Sequence, residues 1–101
     1  MNPLTLDQMQ ELAGTFRLLG DPTRLAILLA VAVNARPVGA VAEGLRQSPS
    51  LVSHHLRLLR AARLVRAERQ GKQVFYALAD EHVRTVIADM AAHVRETHAE
   101  H

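Results

Sequence analysis

The chain has 101 residues, enough for one domain, and is 49% hydrophobic but only 3% aromatic, so its core must be aliphatic. It contains no cysteine, which excludes disulfides, thiolate metal sites, thiol redox switches and cysteine nucleophiles. The formal net charge is only +2, yet Arg46, Arg57, Arg60, Arg63, Arg66, Arg69 and Lys72 crowd one stretch in which Glu68 is the only acid, a distribution that suits a surface meeting a polyanion as well as a solvated basic face.

Residues 5–19 place Met9, Leu12, Phe16 and Leu19 at helical spacing, and Gly20 ends that helix. Asp21-Pro22 reads as N-cap and first position of a second helix, which carries Leu25, Ile27, Leu28, Leu29 and Val31 and runs to about residue 34. Arg36-Pro37 is a break. A short third helix over 38–45 follows, and Ser48-Pro49 opens a fourth that runs to about residue 62, with Leu51, Val52, Leu56, Leu58 and Leu59 wholly or partly inward. The period then drops to two. Residues 64–69 and 73–78 read as strands joined by the short Gln70-Gly71-Lys72 loop, a hairpin signal. A fifth helix begins at Asp80 and runs toward the C-terminus. The whole chain, 1–101, is thus expected to be one mainly α domain of order α-α-α-α-β-β-α, with helices three and four as a helix-turn-helix and the β-hairpin as a wing. No cationic start followed by an apolar run opens the chain, and no apolar stretch approaches a bilayer span, so a cytoplasmic protein without membrane contact is expected.

A DNA-reading helix needs short polar residues where it meets base edges and cations beyond them for phosphates. In the fourth helix Ser50, Ser53, His54 and Arg57 fall within an arc of about 100° at 100° per residue, one continuous outer stripe. Gln47 and Ser48 can add phosphate contacts from the turn, and Arg60 lies farther round the helix. His54 is assigned to the groove and His55 to packing or polar support; adjacent helical positions diverge too far to make a good metal pair. At the wing, Arg69, Lys72 and Gln73 suit the minor groove or its phosphates, although an ordinary solvated hairpin would carry the same residues.

Three motifs carry a family resemblance: Gly20-Asp21-Pro22-Thr23-Arg24-Leu25; Ser53-His54-His55-Leu56-Arg57-Leu58-Leu59; and Leu64-Val65 followed by Arg69-Gln70-Gly71-Lys72 and Tyr76-Ala77-Leu78. In order and spacing the chain, from about residue 12 to 98, resembles the ArsR/SmtB family of bacterial metal-sensing repressors. The resemblance implies a homodimeric winged helix-turn-helix, joined through its N-terminal and C-terminal helices, that binds double-stranded operator DNA as a repressor of transcription and leaves it when an inducer binds.

The last helix carries Asp80, His82, His93 and Glu96. His82 and His93 lie within about 20° on one helix face, but roughly 16 Å apart along the axis at 1.5 Å per residue, beyond the reach of one metal ion. An antiparallel partner helix, crossing near Ile87 and Ala88, would bring Asp80 and His82 of one chain beside His93 and Glu96 of the other, with two equivalent sites per dimer. Val83, Val86, Ile87, Met90 and Val94 form the neighbouring apolar stripe for that dimer contact. Two imidazoles and two carboxylates suit Zn²⁺, with Co²⁺ as a surrogate. In terms of the resemblance, the four residues fall on the pattern of zinc sensors that use the terminal helix, whereas the family's other common site needs cysteines near Arg36-Pro37-Val38 that this chain lacks. His93 is expected to donate its second ring nitrogen to the main chain near Arg63. His98 and His101 raise a Ni²⁺ version of the site, since nickel takes more than four ligands.

Other accounts remain open at this stage. Asp80 is also a good helix N-cap, and terminal histidines are often only solvated. The same fold could serve as a metal-independent winged-helix regulator. An enzyme is the weaker alternative: four protein ligands leave no open metal position, no separate nucleophile and base are visible, and no small organic substrate is expected.

Overall fold

A computed structural model describes residues 3–99. The elements are α1 (Leu6–Leu19), α2 (Pro22–Val33), β1 (Arg36–Pro37), α3 (Val38–Leu45), α4 (Pro49–Ala61), β2 (Val65–Gln70), β3 (Gln73–Leu78) and α5 (Glu81–Ala99). All five expected helices and the hairpin are present. The helix starts follow from local hydrogen-bond chemistry. Thr5 and Gln8 form a reciprocal capping box at α1; the Asp21 carboxylate accepts from the N–H of Thr23 and Arg24 at α2; the Ser48 hydroxyl accepts from Leu51 N–H at α4.

The segment read as a break does more than interrupt the helices. Arg36 and Pro37 form β1, the edge of a three-stranded antiparallel sheet of order β1-β3-β2, pairing with Tyr76 and Phe75. The observed order is therefore α-α-β-α-α-β-β-α. Two residues show no period to detect, and proline is tolerated in a sheet at an edge position such as this one. The β2–β3 hairpin closes on Gly71 and Lys72, with Gln70 opposite Gln73, and the positive φ of 63° falls on Gly71, where no Cβ opposes it.

Helices α3 and α4 both end through a left-handed residue that is not glycine: Arg46 at φ 56° and Arg63 at φ 60°. Each end has the same double closure. Gln47 N–H reaches Ala42 O and Arg46 N–H reaches Glu43 O; likewise Leu64 N–H reaches Leu59 O and Arg63 N–H reaches Arg60 O. The first closure makes the tight turn between α3 and α4, and the second aims the chain from α4 into β2.

The core lies among α2, α3, α4 and the base of the sheet: Ile27, Leu28, Val31, Val41, Ala42, Val52, Leu56, Leu59, Leu64, Val65 and Leu78. Leu58 is half-buried and Leu51, expected wholly or partly inward, is 37% exposed, although Val52 beside it is fully buried. Helix α1 buries no residue fully, and leaves Leu6, Met9, Leu12 and Phe16 on the surface. No helix among the described residues is long and apolar enough to cross a membrane.

Candidate nucleic-acid interface and terminal-helix site

Helix α4 presents two chemically different faces because its apolar residues recur at helical spacing. Val52, Leu56 and Leu59 are fully buried against α2, α3 and β2, which turns Ser50, His54, Arg57 and Arg60 outward. Gln47 and Ser48 are exposed in the turn before it, and Ser53 is half-buried. A shallow cleft between α3 and α4 gathers Ser50, Ser53 and Arg57 with Val38 and Pro49, so three of the sequence-predicted contacts do share one surface. Ser48 already uses its oxygen as a helix cap at 3.1 Å, leaving its O–H as the donor available to a phosphate.

On the hairpin, Arg69, Lys72 and Gln73 are exposed, and Arg69 Nε donates to Gly71 O at 3.3 Å, folding that side chain over the tip. Glu68, the one acid in the basic stretch, is paired with Arg66 at 2.8 Å. Arg63 at the end of α4 is paired with Glu11 of α1 at 2.6 Å, a surface bridge between the first helix and the reading unit.

His55 has a role that sequence reasoning left general. It is 7% exposed, and its Nδ1 accepts from Arg24 Nε at 3.2 Å. The same guanidinium donates to Leu18 O at 2.8 Å and lies 3.8 Å from the Asp21 carboxylate. Burial above all, then the charge of Arg24, pushes the His55 imidazole below its ordinary value of 6.5; Asp21 opposes this and His54 adds to it. In the sequence Arg24 stood out only within the Gly20–Leu25 motif of the family resemblance. Its partner is 31 residues away, a separation without local signature.

The terminal helix carries its polar and apolar groups as two neighbouring sets. Asp80, His82, His93 and Glu96 are all exposed. Asp80 does act as a cap, accepting from Val83 N–H at 2.9 Å through one oxygen. His82 borders an apolar recess between α1 and α5 with Leu12, Phe16, Leu19, Val83 and Val86. Among the described residues of one chain, no three potential ligands come together to hold a metal. The donors nevertheless fit a divalent ion that favours nitrogen and oxygen, in two half-sets at opposite ends of α5 that one chain cannot unite. His101 lies outside the described residues, as does the side chain of His98.

The apolar stripe divides. Val83 and Ile87 pack against the chain's own core, whereas Val86, Met90 and Val94 remain 52%, 55% and 51% exposed. Together with Met9, Leu12 and Phe16 of α1 they leave an apolar outer surface of the kind that marks an interaction site.

Residues 21–67 match the family of bacterial regulatory proteins described as the arsR family. A transcriptional repressor SmtB homolog from Synechocystis is 42% identical over 94 residues, covering 93% of this chain and 71% of the relative. The homodimeric winged helix-turn-helix DNA-binding domain of Mb0332 from Mycobacterium bovis superposes with a TM-score of 0.88 at 26% identity, covering 100% of this chain and 96% of that one. The cadmium metal-sensor CMTR from Mycobacterium tuberculosis superposes with a TM-score of 0.68 at 42% identity, over 76% of this chain and 80% of its own.

Proposed function

The chain belongs to the arsR family of bacterial regulatory proteins, and from that membership we propose that it is a homodimeric repressor released from operator DNA by a divalent metal, Zn²⁺ foremost, shared across the dimer at α5. The observation that carries this reading is the outer surface of α5: exposed Val86, Met90 and Val94 flanked by Asp80 and His82 at one end and by His93 and Glu96 at the other. A two-fold axis across that surface buries the apolar groups and completes two donor sets at once. The names of the relatives support the same reading, since one is a repressor, one a homodimeric DNA-binding domain and one a metal sensor. The absence of cysteine favours a nitrogen- and oxygen-seeking ion over cadmium.

In the DNA-bound dimer, each α4 enters the major groove with Ser50, Ser53 and His54 toward the bases and Arg57 toward phosphate, at half-sites about one turn apart. Gln47, Ser48, Arg69, Lys72 and Gln73 hold the backbone on either side. A divalent ion held by the four α5 side chains would supply a cross-link between the terminal helices. Asp80 places one end of that link at the start of α5, directly after β3, and an exposed Arg63–Glu11 ion pair connects the end of α4 to α1. Release requires the metal to bind the free dimer more tightly than the DNA-bound one, and DNA then weakens metal binding by the same factor.

The test is operator binding by fluorescence anisotropy at fixed salt, with and without a slight excess of Zn²⁺. Wild type should lose affinity by on the order of tenfold or more. His93→Ala should bind DNA normally and ignore zinc; a variant that still dissociates on adding zinc defeats this site. A response to Ni²⁺ alone would bring His98 and His101 into the ligand set, and no response to any metal would leave a metal-independent regulator.

A further inference from the structure

His55 is the buried polar side chain among the described residues, and it sits in the reading helix itself, one position from groove-facing His54. The two rings lie 5.5 Å apart, tilted by 55°. Through Arg24, His55 is joined to the last turn of α1 at Leu18 O and to the cap of α2 at Asp21. One guanidinium therefore connects three helices at the α1–α2 corner. The arginine is a donor only and stays charged, so Nδ1 of His55 must be the acceptor and its proton must sit on Nε2. Proton uptake at Nδ1 would set donor against donor and cation against cation in a partly buried site.

The charged and titratable groups that bear on His55 are Arg24 and Asp21 of α2 and His54 of its own helix. The other elements packed on α4 supply apolar side chains from the core, Val41 and Ala42 from α3 and Val65 from β2. Of the three, only Asp21 would favour a charged imidazole, and that carboxylate is already engaged by two backbone N–H groups and by Arg24.

Building on the DNA-binding reading above, we propose that Arg24 and His55 are positioning residues that latch the reading helix to the α1–α2 corner, so that proton uptake at His55 opens the latch and weakens operator binding. Neither residue touches DNA; they act through the placement of Ser50, His54 and Arg57, which must meet a groove of fixed geometry. Because folding lowers the affinity of His55 for protons, its contribution to stability is complete above the unfolded value of 6.5 and is lost as pH falls through the lower folded value.

The experiment compares wild type with His55→Gln, whose side-chain oxygen can accept from Arg24 Nε but does not titrate. Both retain His54, so its own protonation cancels in the comparison. The DNA probe is a fluorescein-labelled duplex selected for binding from a random-sequence library. Between about pH 7.5 and about pH 5.5, the wild-type dissociation constant should rise relative to that of H55Q by about twofold or more, with the rise growing toward the acid end because the folded imidazole titrates below its ordinary value. A ratio that stays constant with pH overturns the proposal. Thermal melting of the DNA-free proteins over the same range reads the latch independently: wild type should lose stability relative to H55Q on acidification, and parallel melting curves overturn the latch. If H55Q does not fold, Arg24→Gln keeps a donor toward Nδ1 but removes the cation, and it should flatten the wild-type pH profile; an unchanged profile has the same negative meaning. Failure of wild type to bind any selected duplex at about pH 7.5 counts against the operator reading, and the melting comparison then decides the latch alone.

Discussion

Helices α4 and α5 are both amphipathic, but their apolar faces meet different fates. Val52, Leu56 and Leu59 of α4 are wholly enclosed by α2, α3 and β2 of the same chain, whereas Val86, Met90 and Val94 of α5 stay about half exposed beside an α1 that buries nothing completely. The reading unit is therefore closed by one chain, and the outer pair of helices is left open for another surface. A similar kind of amphipathic pattern in sequence thus corresponds to two different outcomes, one face closed within the chain and one left open.

Four variants would break or sharpen that contrast. Leu56→Ala should cost the most, about 2–5 kcal/mol, because it empties space that rigid neighbours cannot refill; urea unfolding at fixed protein concentration measures it. Phe16→Asp combined with Met90→Asp should leave the helical circular dichroism intact but raise the dimer dissociation constant by on the order of a hundredfold, about 2.7 kcal/mol, in sedimentation experiments. A double variant that sediments as wild type would show that this face is not the dimer contact. Asp80→Ala should cost about 1 kcal/mol of metal-free stability through loss of the α5 cap, and should also abolish the zinc response of operator binding. Arg57→Ala should have the smallest energetic signature, with unchanged stability and a salt dependence of DNA affinity that is shallower by about one unit of slope. An unchanged slope would remove Arg57 from the phosphate contacts.

Much of the fold was legible because its signals are local. Pro after a capping Asp or Ser marks the starts of α2 and α4, and the fall of the period from 3.6 to two, around Gly71, marks the hairpin. β1 escaped notice because a two-residue edge strand has meaning only through its partner, β3. The left-handed ends at Arg46 and Arg63 were hidden for a related reason: the usual marker is glycine, and here arginine holds those conformations in place.

The candidate surfaces divide in the same way. Ser50, Ser53, His54 and Arg57 could be placed on one stripe from helical geometry, and the half-sets on α5 from their spacing, since both depend only on a regular 3.6-residue turn. Which apolar residues of α5 face inward was not legible, because Val83 and Ile87 differ from Val86 and Met90 only in what lies beside them. Nor could His55 be distinguished from His54 in kind. They are the same side chain at adjacent positions, and only the fold gives one to solvent and sets the other against Arg24, 31 residues away. Local propensity and capping chemistry act within a few residues and can be read from the chain alone; burial and long-range hydrogen bonding depend on which distant segments pack together, and so belong to the tertiary structure.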